Sequence, residues 1–200
     1  MKANKGFTLI EVAVVLAIIA ILAAILTPIV TSYIDQARET RANADVRKIA
    51  EGVLLFKRDT GVYPPYDTYS NAKAGTSPKT CLISGSNASP NTSASFYGSF
   101  ACTTVGLLGQ YLNVNSLGIT TANGTGGVIS FRGPYLDGLT GSDPWANPYV
   151  VNSSNLTETA TSWSFAVSGG PDGVLNTTQS QPKTAPFSVG SSDDIAALIK

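Results

Sequence analysis

A run of apolar side chains dominates the first part of the chain. Between Phe7 and Leu26 only Thr8 and Glu11 are polar. A helix rises about 1.5 Å per residue, so this stretch would span roughly 30 Å, the thickness of a bilayer hydrocarbon core. The pattern therefore predicts a transmembrane helix. A carboxylate inside such a helix is costly, which marks Glu11 as a candidate functional residue that needs a partner.

A second pattern follows the apolar run. Apolar residues recur at intervals of four and three positions, which places them on one helical face: Ala42, Val46, Ile49, Val53 and Phe56. The charged residues lie largely on the rest of the helix surface: Asp35, Arg38, Glu39, Arg41, Asp45, Arg47, Lys48 and Glu51. The two patterns together predict one long helix from about Phe7 to Asp59, bent near Pro28 and ended by a cap at Gly61. Its amphipathic half should pack on a sheet.

The rest of the chain is predicted to be a small α+β domain with an irregular insert. A Ser/Asn-rich region over about 67–127 contains one candidate helix at Gly106 to Leu112. Short apolar runs between turn signals predict three strands. The tail is expected to form a helical turn. The expected strands and tail are Val128 to Phe131, Pro148 to Val151, Trp163 to Val167, and Asp193 to Ile199.

Composition excludes several function classes. The chain has 13 basic and 13 acidic residues, no His, and a single Met at its start. The usual general base of hydrolases is therefore missing, and an enzyme is not expected. There is no basic patch, so no nucleic-acid partner is predicted.

The two cysteines, Cys81 and Cys102, are expected to pair. An even count in an exported chain favours a disulfide, although sequence alone does not supply the geometry. The basic end with Lys2 and Lys5 should stay in the cytoplasm, which places the chain beyond about Thr31 across the membrane.

Two interpretations of Glu11 are open from the apolar run alone. If the chain were cut after Gly6, the Phe7 amine would be cationic near neutral pH, with a pKa of about 7.7–8. The amine of one copy could then neutralise Glu11 of a neighbouring copy and drive ordered assembly. The alternative is a plain signal anchor in which Glu11 reaches the membrane interface.

The residues Lys5-Gly6-Phe7-Thr8-Leu9-Ile10-Glu11-Val12 resemble the leader signal of type IV pilins and type II secretion pseudopilins. The resemblance implies that a prepilin peptidase cuts after Gly6 and methylates Phe7, and that Glu11 is the assembly carboxylate. It also implies the family's ladle fold, with a long helix packed on a small antiparallel sheet. The implied organisation is a leader over 1–6, a transmembrane and assembly helix over 7–31, and a globular head over 32–200.

Later motifs extend the resemblance to residues 1–66 and 128–200. The segment Asp143-Pro144-Trp145-Ala146-Asn147-Pro148-Tyr149 is similar to the D-P-W-G-N-P-Y segment of major pseudopilins, with Ala146 in place of glycine. Major pseudopilins carry calcium near a late glycine-rich turn, so the resemblance implies a Ca²⁺ site with Asp172 and Asp194 as ligands. In the alternative interpretation Asp172 is an ordinary turn residue and Asp193 a helix cap.

The function implied by the resemblance is structural. The leading hypothesis is a subunit that polymerises into the pseudopilus of a type II secretion system and drives protein export. One alternative is a type IV pilin that forms a surface pilus for adhesion, motility or DNA uptake. Another, from a different class, is a membrane-anchored binding protein or enzyme. Expected partners are further copies of the chain, the prepilin peptidase, an inner-membrane assembly platform and minor pilins or pseudopilins. The expected location is the bacterial inner membrane with the head in the periplasm, and then a periplasmic or surface filament.

Overall fold

The computed structural model describes residues 6–66, 79–85, 100, 102–119, 130–136, 141–190 and 193–200. These ranges form the elements α1 Leu9–Thr60, β1 Cys81–Ile83, β2 Val105–Leu107, α2 Leu108–Asn113, β3 Val150–Asn152, β4 Phe165–Ser168 and β5 Ile195–Leu198. The chain divides into two compact units, Met1–Arg38 and Glu39–Lys200. The second is called the head unit below.

In the first unit, α1 continues without interruption through Pro28. A proline inside a helix removes one backbone hydrogen bond. Neighbouring hydroxyl groups bond to carbonyl oxygens: Thr27 Oγ1 donates to the carbonyl of Ala23 at 2.7 Å, and Thr31 Oγ1 donates to the carbonyl of Pro28 at 2.9 Å. The long helix predicted from the sequence is confirmed, while the bend near Pro28 stays a prediction.

The head unit contains one five-stranded sheet with the strand order β2-β1-β3-β4-β5. Strands β1 and β2 are parallel, with Cys81 opposite Val105. The other three pairs are antiparallel, and Val151 is paired with Leu82 on one side and Ala166 on the other. The α+β class is confirmed, but the sheet is mixed where a purely antiparallel one was expected.

One face of the sheet packs against the head part of α1. The alternation of side chains along each strand puts Leu82, Val151 and Ala166 on this face. They share a core with the predicted helical stripe, whose five members from Ala42 to Phe56 are at most 1% exposed. The expectation that the amphipathic half packs on a sheet is therefore confirmed.

The opposite face of the sheet is covered by loops. Cys81, Ile83, Val150, Phe165 and Val167 form its apolar surface, and Phe100 and Leu175 bury it further. The rings of Phe100 and Phe187 contact Phe165 at centroid distances of 5.8 and 5.0 Å. Loop residues thus cover the apolar side chains of this face, as the head part of α1 covers those of the other face.

Two of the three expected strands lie close to their predicted positions, and the first does not. β3 and β4 begin two residues later than predicted, at Val150 and Phe165. The described part of the first segment, Ser130 and Phe131, has no strand structure, while its first two residues lie outside the described ranges. Phe131 instead packs edge-on against Phe56 of α1, at 6.2 Å between ring centroids.

The predicted helical turn over Asp193 to Ile199 is wrong, because this segment forms β5. Its alanines and leucine favour a helix locally, but four residue pairs with β4 outweigh that propensity. The candidate helix at Gly106 to Leu112 is confirmed with a shift to Leu108–Asn113. The Ser/Asn-rich insert also contributes two strands that were not predicted, β1 and β2, while its residues 67–78, 86–99, 101 and 120–127 lie outside the described ranges.

Candidate functional site

The expected cleavage junction, Gly6–Phe7, lies just before the start of α1. Phe7 is 87% exposed, and a methyl group placed on Gly6 would meet no atom of the described chain within 4 Å. Lys2 and Lys5 lie outside the described residues. The bond at which a leader would be removed is therefore uncovered by the described part of the chain.

The carboxylate of Glu11 is bonded to Thr8, three residues earlier. Glu11 Oε2 accepts hydrogen bonds from Thr8 N and Thr8 Oγ1, each at 2.8 Å. Thr8 Oγ1 in turn accepts a hydrogen bond from Glu11 N at 3.4 Å. This reciprocal arrangement is a helix capping box, and it satisfies amide groups that the first turn of a helix leaves without partners. Sequence reasoning missed this role of Thr8, although the spacing Thr-x-x-Glu is the pattern that identifies it.

The apolar part of α1 has no partner among the described residues of its own unit. Its best 18-residue window has a mean hydropathy of 3.1, and none of that window is buried. Ile18, Ile21 and Ile25 are each more than half exposed. By length and composition this helix is suited to cross a membrane, and its side chains need lipid or another protein surface to leave water.

Cys81 and Cys102 form a disulfide, as expected. The bond ties the first residue of β1 to the segment that leads into β2. Beside it, Thr80 Oγ1 donates to the carbonyl of Thr104 at 2.9 Å and accepts from the amide of Thr104 at 2.9 Å. The disulfide and this pair of hydrogen bonds together fix the parallel edge of the sheet.

The segment from Asp143 to Tyr149 forms a tight turn around the carboxylate of Asp143. Asp143 Oδ1 accepts from the amides of Trp145 and Asn147 at 3.0 and 2.8 Å, and Oδ2 accepts from Ser168 Oγ at 2.6 Å. Asp143 is 4% exposed, so these bonds replace its contacts with water. Ala146, which stands where the resemblance expects glycine, has a φ of 72°.

The turn places Tyr149 next to the head part of α1. Tyr149 Oη donates to Asp45 Oδ2 at 2.8 Å, and its ring is 1% exposed. Burial, the bond to Asp45 and the Asp45 charge all raise the pKa of Tyr149, so the phenol stays protonated. The hydrogen bond fixes the register between the helix and the sheet.

The three late aspartates each accept a hydrogen bond from a backbone amide of the loop between β4 and β5. Asp172 lies beside Asp193, because Asp193 Oδ2 accepts from the amide of Asp172 at 3.3 Å. Asp194 instead faces the next loop, and its Oδ2 accepts from Asn176 N at 2.9 Å and from Thr177 N and Oγ1 at 2.5 and 2.6 Å. Asp194 Oδ1 is buried and has no hydrogen-bond partner in the described structure.

The fit of these residues to a cation is therefore partial. Burial raises the pKa of Asp194, and burial together with the nearby Asp172 raises the pKa of Asp193. A cation would relieve both effects and would give Asp194 Oδ1 a partner. Against this, the described residues contain no group of three or more Asp, Glu, His or Cys side chains placed to hold a metal.

The loop between β4 and β5 also holds itself together, without any ion. Gln181 Nε2 donates to the carbonyl of Ser188 at 2.6 Å, and Gln181 Oε1 accepts from the amide of Ser188 at 2.9 Å. Trp163 Nε1 donates to the carbonyl of Ala185 at 3.1 Å. These bonds tie the polar, proline-containing segment to itself and to Trp163, which lies just before β4.

A cluster of charges around Tyr63 was not predicted. Lys57 and Lys200 place their ammonium groups 4.9 and 5.1 Å from the ring centroid of Tyr63, and both pair with Glu158. Lys57 also donates to the carbonyl of Gly61, which ends α1 with a φ of 76°. The pattern carries no sequence signal, because its members lie up to 143 positions apart and meet only in the folded chain.

Comparison with known proteins finds a family match at the N-terminus. Residues 1–27 match the model of the prokaryotic N-terminal methylation motif. That motif, the long apolar helix and an α+β head are features that the resemblance to pilins and pseudopilins implied.

The curated relatives are pseudopilins and pilins. The chain is 44% identical over 63 residues to type II secretion system core protein G of Pseudomonas aeruginosa, covering 32% of this chain and 44% of that protein. It is 34% identical over 67 residues to the protein of the same name from Vibrio cholerae, covering 34% and 46%. It is 40% identical over 77 residues to the type IV major alpha-pilin of Moraxella bovis, covering 38% and 48%.

These matches are partial. The chain spans less than half the length of each of these relatives, and about a third of the chain takes part in each match. No solved structure gave a significant match. The similarity thus covers the methylation motif and part of the chain, while the remainder rests on its own structure.

Proposed function

We propose that this chain is a structural subunit that polymerises into the pseudopilus of a type II secretion system and thereby drives protein export. In this role a prepilin peptidase removes residues 1–6 and methylates Phe7. The subunit then leaves the inner membrane through an assembly platform and joins a filament that also contains minor pseudopilins. The apolar part of α1 is buried first by lipid and then by the helices of other copies.

The observation that carries this proposal is the uncovered Gly6–Phe7 junction joined to an exposed apolar helix with one carboxylate in its first turn. The capping box supports it, because Thr8 gives Glu11 two hydrogen bonds before any neighbouring copy is present. In the filament the Phe7 amine of a neighbour would supply the compensating positive charge. The similarity to two proteins named core protein G favours the pseudopilus.

A type IV pilin is the second candidate. The match to the Moraxella bovis alpha-pilin is 40% identical and slightly longer than the match to either core protein G. Two experiments separate the candidates. In electron microscopy of cells that express the chain, filaments outside the cell indicate a pilus. In a secretion assay, loss of secreted enzymes in a deletion strain that the wild-type chain restores indicates a pseudopilus.

The test of the shared part of the proposal uses processing and assembly. Intact mass spectrometry of assembled material should give a chain that begins at N-methylated Phe7, and Gly6→Val should block cleavage. Glu11→Val should abolish filaments while the subunit remains in the membrane. Glu11→Gln is the matched variant, since it retains an acceptor for Thr8 but has no charge, and it should also fail. Filaments at normal yield from either Glu11 variant, or a mature chain that retains Gly6, would disprove the role.

We further propose that Ca²⁺ binds the head unit through Asp172, Asp194 and the adjacent Asp193. The unsatisfied, buried Oδ1 of Asp194 and the two neighbouring carboxylates of Asp172 and Asp193 support this. Calcium accepts six to eight oxygen ligands in irregular loops. When bound, it would supply positive charge to a region where burial raises the pKa of two carboxyl groups.

The calcium proposal is tested by thermal melting of the full chain in detergent. Calcium should raise the Tm of the wild type. At a hundredfold excess of calcium over Kd, binding stabilises the folded chain by about 2.7 kcal/mol. Asp194→Asn and Asp172→Asn should remove the calcium effect, whereas Asp35→Asn on the first part of α1 should keep it. Equal melting of the wild type with calcium and with chelator would disprove the site.

A further inference from the structure

The apolar part of α1 ends in two kinds of hydroxyl group. Thr27, Thr31 and Ser32 each donate to a carbonyl oxygen three or four residues earlier in the helix, at 2.7, 2.9 and 2.9 Å. Tyr33 is exposed, and its hydroxyl forms no hydrogen bond with any described residue. A polar group without a partner is costly in hydrocarbon, whereas one that is bonded within its own helix costs less. The helix is therefore suited to hydrocarbon up to Ser32 but not at Tyr33.

Charged side chains mark the same boundary. Asp35 and Arg38 follow shortly after Tyr33 and form an exposed ion pair at 3.4 Å. Tyrosine itself is enriched at membrane interfaces, because its ring is apolar and its hydroxyl is polar. The helix thus changes from side chains that suit lipid to side chains that suit water between Ser32 and Asp35.

At the other end of the helix the first charged residue is Glu11. No polar side chain lies between Glu11 and Thr27. Glu11 and Tyr33 are 22 positions apart, which corresponds to roughly 33 Å along a helix. Because a hydrocarbon core is about 30 Å thick, it fits between these two residues, and both polar groups can lie outside it at the same time.

The apolar run from Phe7 to Leu26, taken alone, gives a different placement. A core over that run puts Glu11 about 6 Å inside the hydrocarbon and Tyr33 about 10 Å outside it. Tyr33 and the apolar Ile34 then lie beyond the headgroup layer, which is about 5–7 Å deep on each side. A core between Glu11 and Tyr33 avoids both costs, and the apolar residues before Glu11 then lie in the headgroup layer.

We propose that the membrane-inserted subunit holds Glu11 in the cytoplasmic headgroup layer and Tyr33 in the opposite one, with the hydrocarbon core over about residues 12–32. The proposal rests on the proposed function, in which the subunit occupies the inner membrane before it assembles. Glu11 is a positioning residue here, because its charge keeps the first turn of α1 out of the hydrocarbon. The carboxylate is then solvated while the subunit waits in the membrane, and it needs a compensating charge only when the subunit leaves.

The depths of two matched leucines test this placement. The midpoint between Glu11 and Tyr33 is Leu22, whereas the midpoint of the run Phe7 to Leu26 falls beside Leu16. Both leucines are exposed, so a spin label on Leu22→Cys or Leu16→Cys should leave the helix intact. The native cysteines are paired and take no label.

The labelled full chains are reconstituted in vesicles of phosphatidylethanolamine and phosphatidylglycerol. Collisions of the label with oxygen, which concentrates at the midplane, and with a water-soluble nickel chelate report its depth. The label at Leu22→Cys should lie deeper than the label at Leu16→Cys by roughly 9 Å, the rise of six helical residues. Equal depths, or a deeper label at Leu16→Cys, would overturn the placement.

Substitution of Glu11 tests its role as the positioning residue. In Glu11→Leu the nearest charge before the apolar run is Lys5, and the midpoint between Lys5 and Tyr33 is Ile19. The labels at Leu16→Cys and Leu22→Cys should then be equally deep. Glu11→Asp is the matched control, since it keeps the charge, and it should keep the wild-type difference. Unchanged depths in Glu11→Leu would show that Glu11 does not set the placement.

Filament assays separate failure of the placement from failure of the proposed function, because depth in vesicles requires no assembly machinery. A deeper label at Leu22→Cys, together with cells that form no filaments from the wild-type chain, would support the placement and overturn the function. Filaments from a wild-type chain whose deeper label is at Leu16→Cys would support the function and overturn the placement.

Discussion

The two parts of α1 differ in where their apolar side chains go. In the first unit, Ile18 and Ile19 are 53% and 56% exposed, and neither belongs to a core cluster of the described residues. In the head unit, Val46 and Ile49 are fully buried against the sheet. Both parts are regular helix with similar apolar residues. The apolar side chains of the first part can be buried only by lipid or by another protein surface. Those of the second part are buried by the sheet of the same chain.

This difference separates assembly from folding along one helix. Substitutions in the first part should affect membrane insertion and filament formation without changing the stability of the head. Substitutions in the second part should act on the free energy of unfolding, because they remove contacts that the sheet already provides.

The largest effect is expected from a pair of matched isoleucines. Ile49→Ala should destabilise the head by about 2–5 kcal/mol, because it removes a fully buried side chain and leaves a cavity. Ile19→Ala should leave head stability unchanged, since Ile19 is an exposed residue of the first unit and is not a member of either core cluster. Thermal melting of the two full-length variants in detergent checks the difference. A similar loss of stability in both would remove the distinction between the two parts.

Reduction of the disulfide should have the next largest effect, confined to the head. Cys81 and Cys102 are separated by 21 positions, and a closed loop of this size stabilises a fold by about 3 kcal/mol in the chain-entropy model. The paired variant Cys81→Ser with Cys102→Ser should unfold at correspondingly lower urea concentration. Its insertion in the membrane through the apolar part of α1 should not change. Unchanged unfolding of the cysteine-free chain would contradict the assignment of the disulfide as a clamp on β1 and β2.

A smaller effect of opposite sign is expected at Ala146. A residue with a side chain costs roughly 1–2 kcal/mol in the left-handed region, and glycine avoids this cost while losing some entropy on folding. Ala146 has a φ of 72°, which lies in this region. The substitution Ala146→Gly should therefore stabilise the head by about 0.5–1 kcal/mol. Gly141→Ala is a suitable control for general glycine effects, since a methyl group there meets no described atom within 4 Å. A lower Tm for Ala146→Gly would show that the turn has no strain to relieve.

The smallest effect concerns pH and the cluster around Tyr63. The hydrogen bond from Lys57 lowers the pKa of Glu158 in the folded chain. A carboxyl group with a lowered pKa stabilises the fold above its unfolded pKa of about 4.3, and this contribution is lost as the pH falls through the lowered value. Because Glu158 is 68% exposed, the effect is small.

Glu158→Gln should therefore flatten the acid side of the stability curve below about pH 4.3. Glu51→Gln is the control, since Glu51 is an exposed glutamate without an ion pair in the described structure. The stability difference between the two variants should be full above about pH 4.3 and should disappear as the pH falls through the lowered pKa of Glu158. Parallel curves would indicate that the Lys57–Glu158 pair contributes nothing to stability.

The features that the sequence predicted are those with a local signal. The spacing from Ala42 to Phe56 predicts the buried face of α1, and the run from Phe7 to Leu26 predicts the exposed apolar helix. The motif at Gly6 and Phe7 supplied the resemblance that the comparisons then bore out. Each of these signals lies within one helix or one short motif.

The features that the sequence did not predict depend on contacts between distant residues. β1 and β2 lie inside a Ser/Thr-rich region and form because Cys81 and Thr80 are held to the segment before Val105. β5 forms because β4 offers it an open edge, although its residues favour a helix. The pairing of Asp172 with Asp193, and of Asp194 with Thr177, follows from the path of a loop that carries no regular pattern.

The position of β5 at the edge of the sheet has a consequence for synthesis and transport. Its Ile195, and Ile199 just beyond it, belong to the same core as Ile49, but 26 residues separate β5 from β4 along the chain. As the nascent chain leaves the ribosome, α1 and the first four strands emerge while the edge of β4 is still unpaired. The head therefore cannot close until β5 has been translated. In the proposed export, this delay would let the chain cross the membrane before the head folds, and the pairing of β5 with β4 would then complete the fold.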